Sequence, residues 1–310
     1  MKKYYDSIDE LVGKTPIIKL NNLKEELGLK SNIYLKLEYY NVGGSIKTRI
    51  AKNMLDALVK EGKIKKGSTI IEATSGNTGI GLALIGANRG YNVIIVMPEG
   101  VTVERIKLLK SYGAKVYLTP KDQGMQGPKD LAVKLNTEIE NSVIVNQFEN
   151  PNNPLTHYKT TGPEIYKAIG KKITHFVSSA GTGGTLGGCA KYLKGKIKNI
   201  KIVGVEPEGT EALKDGEWKP HKIEGIGGPI RTKNLDFSLV DSIYECKDDD
   251  AYFYARLLPR VEGLSIGISA GAAVAAAVSI AKESNKEENI VVIIPDSGDH
   301  YLSGELFNIE

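Results

Sequence analysis

Lys47 sits in Asn41-Val42-Gly43-Gly44-Ser45-Ile46-Lys47-Thr48-Arg49, directly after a strand-like run. Glycines let backbone approach a bound group closely, and a single lysine amine after them suits a carbonyl cofactor held as a Schiff base. A surface lysine after a turn gives the same local pattern, so the segment gains its weight from its company. Thr74-Ser75-Gly76-Asn77-Thr78-Gly79 follows one expected strand, and Gly181-Thr182-Gly183-Gly184-Thr185 follows another. Backbone N–H groups and the helix dipole at a strand-to-helix turn favour an anion. A phosphate fits the glycine loop at 181–185. The loop at 74–79 carries more side-chain donors and suits a smaller anion such as a substrate carboxylate, with Asn77 able to reach a cofactor oxygen. Ser75 or Asn77 could equally be a plain helix N-cap. Near the C-terminus, Pro295-Asp296-Ser297-Gly298 offers the Ser297 hydroxyl to a ring nitrogen.

Other chemistries find less support. Leu186 stands where the third glycine of a G-x-G-x-x-G dinucleotide fingerprint belongs, and no Gly-Lys-Ser/Thr follows the loop as a Walker A motif requires. His157, His175, His221 and His300 lack the spacing of a helical zinc site, so no metal is expected and the four are read as structural or surface residues. No serine lies in a G-x-S-x-G elbow. Cys189 and Cys246 are too few for a disulfide framework and fit a reducing compartment. Lys+Arg 41 against Asp+Glu 37 leaves a formal net charge of +4 with no long basic run, so nucleic acid is not implied. Asp6, Asp9 and Glu10 interrupt any signal-peptide core after Met1-Lys2-Lys3, and no run approaches the ~20 apolar residues of a membrane span. These features predict a cytoplasmic, soluble protein.

The elements that must position these residues follow from periodicity. Ile33, Leu35 and Leu37 alternate within 32–38 as in a half-buried strand. Ile50, Met54, Leu55 and Leu58 recur at helical spacing after Lys47, and 69–74 reads as the next strand. Helices are expected at 77–89 and 103–112, and strands at 92–98 and 114–118. After the turn-rich connector Phe148-Glu149-Asn150-Pro151-Asn152-Asn153-Pro154, strands are expected at 174–178, 201–206 and 290–295, and helices at 186–193 and 270–281. Such alternation predicts a mostly parallel sheet covered on both faces. With 310 residues the chain exceeds the length of one ordinary core, which predicts two α/β halves sharing a cleft.

Read together, these segments resemble the cysteine synthase family, O-acetylserine sulfhydrylases and their cystathionine β-synthase relatives, which are pyridoxal-phosphate enzymes of fold type II. The resemblance runs through Gly13-Lys14-Thr15-Pro16, the Lys47 segment, residues 74–79, Gln147-Phe148-Glu149-Asn150-Pro151, Thr160-Thr161-Gly162-Pro163-Glu164-Ile165 and residues 181–185. It continues in Gly267-Ile268-Ser269-Ala270-Gly271-Ala272 and Ser297-Gly298-Asp299-His300-Tyr301-Leu302-Ser303. It implies a two-domain α/β fold of mostly parallel twisted sheets with helices on both faces and the cofactor in the interdomain cleft. The smaller, mobile, carboxylate-binding domain would span 40–148, and the larger, phosphate-binding domain 1–39 with 149–310. By the same resemblance Lys47 is the Schiff-base lysine and the base for the Cα proton. Asn77 meets the cofactor's ring oxygen, Gly181, Thr182, Gly183, Gly184 and Thr185 the phosphate, and Ser297 the pyridine nitrogen. Thr74, Ser75, Thr78 and Gln147 grip the carboxylate of a small amino-acid substrate. A homodimer, and a complex with a serine acetyltransferase, are further implications.

Two departures from the family pattern stand out. Val42 and Thr48 replace the Pro and Asp that often flank the lysine segment, without removing a reacting group. Gly225-Ile226-Gly227-Gly228-Pro229-Ile230-Arg231-Thr232 differs from the usual Gly-Ile-Gly-Ala-Gly-Phe-Ile-Pro, in a loop that borders the substrate's β-substituent, where Gly228 lies. Arg231 pointing into the site would favour a donor or nucleophile with an extra negative group; pointing to solvent it is a surface charge. The expected reaction is β-replacement on an L-serine derivative, O-acetyl-L-serine and sulfide giving L-cysteine and acetate. The alternatives are an enzyme using L-cysteine and releasing hydrogen sulfide, with L-serine, lanthionine or cystathionine as the other product, and a non-catalytic regulatory paralogue. A nicotinamide-dependent dehydrogenase shares the α/β rhythm but fails at the glycine fingerprint.

Overall fold

The structure is a computed structural model that describes residues 4–211, 213, 219–228 and 232–308. The chain divides into two compact units, Met1–Val12 with Asn41–Asn152, and Gly13–Tyr40 with Asn153–Glu310.

Ten strands occur among the described residues: β1 (Ile17–Lys19), β2 (Asn32–Leu37), β3 (Thr69–Ala73), β4 (Asn92–Pro98), β5 (Lys115–Thr119), β6 (Ser142–Ile144), β7 (His175–Ser179), β8 (Lys201–Pro207), β9 (Ser242–Cys246) and β10 (Asn289–Ile294). The first unit holds a four-stranded sheet in the order β5-β4-β3-β6, parallel throughout. Successive side chains on a strand point to opposite faces, so each face needs its own cover. Ile70, Val93 and Ile95 pack with Ile50, Met54, Leu55, Ile80 and Ala83 on one face, from the helices Lys47–Lys60 and Asn77–Arg89. Ile71, Ile94 and Val96 pack with Ala132 and Leu135 of the helix Gln126–Glu138 on the other. This two-sided burial explains the nearly unbroken apolar run of β4. The N-terminal segment belongs with this unit. Asp9 takes two hydrogen bonds from Arg89, at 2.7 and 2.9 Å, and Arg89 also pairs with Asp56 at 2.7 Å.

The second unit holds a six-stranded sheet in the order β1-β2-β10-β7-β8-β9, parallel except for the β1 edge. One face, with Leu35, Val177, Val203 and Val292, packs on the helix Ile268–Glu283. That helix is apolar all round and largely buried, as a helix enclosed by protein must be. Gly271 lets it close onto Asp248–Val261, since a Cβ there would strike the Ala251 carbonyl. The opposite face receives Gly184–Lys194. Leu186 fills the space beside Gly204, where an added Cβ would stand 3.1 Å from its Cδ2. A buried network ties the start of this unit. Lys36, only 1% exposed, lies 2.6 Å from Glu164 and donates to the Thr15 carbonyl, while the Thr15 hydroxyl donates to Glu38.

Each sheet reverses its winding once. In the first, the chain steps outward from β3 to β4 to β5, then returns on the other side of β3 as β6. In the second, it steps from β7 to β8 to β9 and returns beside β7 as β10. The carboxyl ends of strands at such a reversal diverge into a crevice, the usual ligand position in open parallel sheets.

Candidate active site

In the first unit the reversal point gathers residues 74–79 and Gln147. Thr74 extends the ladder by donating its N–H to the Val96 carbonyl, and Gly76 precedes the helix that starts at Asn77. The Thr74 hydroxyl oxygen accepts the Gly76 N–H at 3.2 Å, folding the loop on itself. Arg105 donates to the Ser75 carbonyl at 2.8 Å. Across the crevice, Val145 continues β6 by donating to the Ile71 carbonyl, and Gln147 follows two residues later. The Thr78 hydroxyl donates to Gln147 Oε1 at 2.6 Å, so its one proton is committed to Gln147. Thr74, Thr78 and Gln147 are all buried, while Ser75 and Asn77 are half-buried.

Lys47 belongs to the same assembly. Gly43 and Gly44 both adopt positive φ, 89° and 73°, in the turn before it, and the Thr48 hydroxyl closes that turn onto the Val42 carbonyl at 2.6 Å. The helix Lys47–Lys60 then meets Asn77–Arg89 at Gly81, where an added Cβ would stand 3.1 Å from the Lys47 carbonyl oxygen. Gly81 is one helical turn beyond Asn77, so the lysine backbone is pinned beside the helix that residues 74–79 open.

In the second unit the reversal point gathers residues 181–185 and Ser297, at the carboxyl ends of the paired strands β7 and β10. Gly183 has φ 74° and Thr232 Cγ2 occupies the place of its Cβ, so only glycine fits. Gly181 abuts the Gly225 carbonyl, and Gly184 abuts Asn153. The loop is braced from behind. Asn153 donates to the Thr182 hydroxyl at 2.9 Å, and Thr232 and Asn234 both donate to the Thr182 carbonyl. Thr185 lies 3.3 Å from His157 Nε2, whose Nδ1 lies 2.9 Å from the Thr161 hydroxyl. Ser297, 9% exposed, precedes the turn Gly298–Tyr301. In the altered loop, the space around Gly228 is open. Arg231, with Pro229 and Ile230, lies outside the described residues.

The residues fit pyridoxal phosphate. A glycine cradle at a helix N-terminus, with the Thr182 and Thr185 hydroxyls in it, suits a dianionic phosphate. The Ser297 hydroxyl suits a heteroaromatic nitrogen, and the Lys47 amine a carbonyl carbon. Among the described residues no group of His, Cys, Asp or Glu is suited to a metal ion, and no helix is long and apolar enough to cross a membrane.

Two residues of this region escape a reading of sequence alone. His157 is buried beside Thr185, and its spacing carries no signal for that place. Glu72 is 2% exposed within β3, and its carboxylate accepts the N–H groups of Asn146 and Gln147 at 2.8 and 3.1 Å. An acid inside a central parallel strand is a legible signal, because such strands are otherwise apolar. Burial pushes the Glu72 carboxyl up to about 7, against the pull of hydrogen bonds from Gln147 and Asn146, the Gln147 side chain among them.

Two doubly wound units, each with an anion-receiving loop at its reversal point and one carrying a pinned lysine, define a class of α/β enzyme that binds a phosphorylated carbonyl cofactor. The chain belongs to the pyridoxal-phosphate-dependent enzyme family, whose pattern matches residues 8–296. It is 43% identical over 310 residues to the cysteine synthase of Staphylococcus aureus, covering 100% of this chain and 99% of that protein. Among solved structures it superposes on an O-ureido-L-serine synthase with a TM-score of 0.95 at 37% identity, covering 99% of this chain and 96% of the other. It also matches a hydrogen sulfide-producing enzyme from Fusobacterium nucleatum, with a TM-score of 0.91, 43% identity, and coverage of 96% and 100%.

Proposed function

We propose that the chain catalyses β-replacement on an L-serine derivative, with O-acetyl-L-serine and sulfide giving L-cysteine and acetate. One observation carries this reading: Gln147, bonded to Thr78 at the edge of the carboxylate loop, stands in the same unit as Lys47, which is pinned one helical turn from Asn77. Such a site holds an amino acid by its carboxylate and brings an amine to its Cα. Full-length likeness to a cysteine synthase supports it.

Bound pyridoxal phosphate supplies an electron sink for the Cα–H bond. Residues 181–185 would hold its phosphate, Asn77 its ring oxygen, Ser297 its ring nitrogen and Lys47 its carbonyl carbon. A neutral hydroxyl at the ring nitrogen, in place of a carboxylate, favours loss of a β-substituent over transamination. The Lys47 Nζ would take the Cα proton and later return it. Thr74, Ser75 and the Gln147 amide orient the carboxylate, and Thr78 contributes through Gln147. By the family resemblance Gly228 would border the β-substituent: the Cβ–O bond breaks as acetate leaves, and hydrosulfide supplies the sulfur of the new Cβ–S bond.

A second reading uses L-cysteine as donor and releases hydrogen sulfide, and equal identity to the hydrogen sulfide-producing enzyme favours it. Mass spectrometry of products separates the two. O-acetylserine with sulfide yields cysteine under the first reading, while cysteine alone yields sulfide with serine or lanthionine under the second. Absence of turnover in both tubes contradicts both. The finer parts of the reading are a cytoplasmic homodimer and a complex with a serine acetyltransferase. Sedimentation of the chain alone, and after mixing with such an acetyltransferase, tests the assemblies.

A further inference from the structure

Gln147 is aimed by an arrangement that its own chemistry does not require. Asn146, directly before it, has φ 52°, a left-handed conformation uncommon outside glycine and costly unless the surroundings hold it. What holds it is Glu72. One carboxylate oxygen takes the Asn146 N–H at 2.8 Å, and the other takes the Gln147 N–H at 3.1 Å. The Gln147 side-chain amide has an anchor of its own. Thr78, donating its hydroxyl proton, faces the oxygen end at 2.6 Å. The amide is therefore fixed against the end-for-end flip that would present oxygen where nitrogen stands.

We propose that Glu72 is a positioning residue: it sets the turn at Asn146 and so the place of Gln147, while Thr78 holds the amide oxygen, so that an Nε2 proton is presented to the substrate carboxylate. This rests on the reading of Gln147 as a carboxylate ligand. A flipped amide would set its oxygen against the substrate's carboxylate oxygens, turning attraction into repulsion. Removing the buried acid would otherwise leave two backbone N–H groups without their acceptor, which explains why so costly a charge sits in the centre of the sheet.

The test is a double-substitution cycle on the holoenzyme, read as the spectral change of bound cofactor on titration with L-serine and O-acetylserine. Glu72→Gln puts an NH2 group against one of the two backbone N–H groups. It is expected to weaken amino-acid affinity about tenfold, one charge-assisted bond's worth, while the resting visible spectrum stays unchanged. Gln147→Ala weakens it comparably, and the double variant is no weaker than Gln147→Ala alone. Amide exchange in the apoprotein gives a readout independent of activity: the Asn146 and Gln147 N–H groups exchange faster in Glu72→Gln, and the Val145 N–H does not. If Glu72→Gln fails to fold, Thr78→Val poses the same question from the oxygen end, with a severalfold loss of affinity expected. Wild-type affinity in Glu72→Gln or in Thr78→Val overturns the inference, as does a double variant weakened by the product of the two single effects. Wild-type affinity in Gln147→Ala overturns the underlying carboxylate reading, and this inference with it.

Discussion

Glu72 shows how one residue can burden the fold and serve the site. Its folded carboxyl titrates near 7 against an ordinary 4.5, because desolvation outweighs the hydrogen bonds it receives. The folded protein therefore binds this proton more tightly than the unfolded chain. The resulting stability is fully present below about 4.5 and is lost as pH rises through about 7. At 1.36 kcal/mol per pH unit the interval corresponds to ~3 kcal/mol. Denaturant titrations at pH 5 and pH 8 should show this loss in the wild type and a smaller one in Glu72→Gln; equal losses would show that Glu72 does not titrate in that range. Ser75, proposed to grip the substrate carboxylate, would contribute only when substrate is bound. Ser75→Ala should leave cofactor binding intact and weaken amino-acid affinity by about 1.5 to 3 kcal/mol, the value of a hydrogen bond to a charged group. Spectral titration measures it, and unchanged affinity would remove Ser75 from the carboxylate site.

At the scale of elements, the two reversal points place the loops. The strands and helices that flank residues 74–79 and 181–185 are legible in the sequence, since long periodic segments carry their own signal. The helix expected at 77–89 is found as Asn77–Arg89, and the strand expected at 69–74 as Thr69–Ala73. What periodicity does not carry is β6, only Ser142–Ile144, too short to show a pattern, and its pairing with β3. Without that pairing, nothing local brings Thr78 to Gln147 or Glu72 to Asn146. The resemblance places Gln147 in the site, but its orientation is a product of the sheet. The helix Asp248–Val261 opens on three aspartates, a start signal that local chemistry does supply. Gly183 lies at the other reversal point. Gly183→Ala meets both a positive φ and the Thr232 side chain, and should weaken pyridoxal-phosphate binding by about 1 to 3 kcal/mol. Equilibrium dialysis of the cofactor checks it, and wild-type affinity would mean that the loop does not hold the phosphate.

At the scale of the whole molecule, the chain carries its family's cofactor chemistry with a changed substrate border. Thr232, at a position where sulfhydrylases usually carry proline, donates to the Thr182 carbonyl and accepts the Asn234 N–H at 3.0 Å. That part of the changed loop therefore braces residues 181–185. If Arg231 points into the site, a preference among O-acetylserine, cysteine and more acidic donors responds to Arg231→Ile through changed kcat/KM ratios; identical ratios would mean that Arg231 does not select the substrate and would turn the search to Gly228 and Pro229. All of this depends on one covalent assignment. Reducing the purified holoenzyme with borohydride and sequencing its peptides by mass spectrometry tests it most directly. A phosphopyridoxyl group on Lys47, absent from Lys47→Ala, is the predicted result, and a group on another lysine, or on none, would contradict the account.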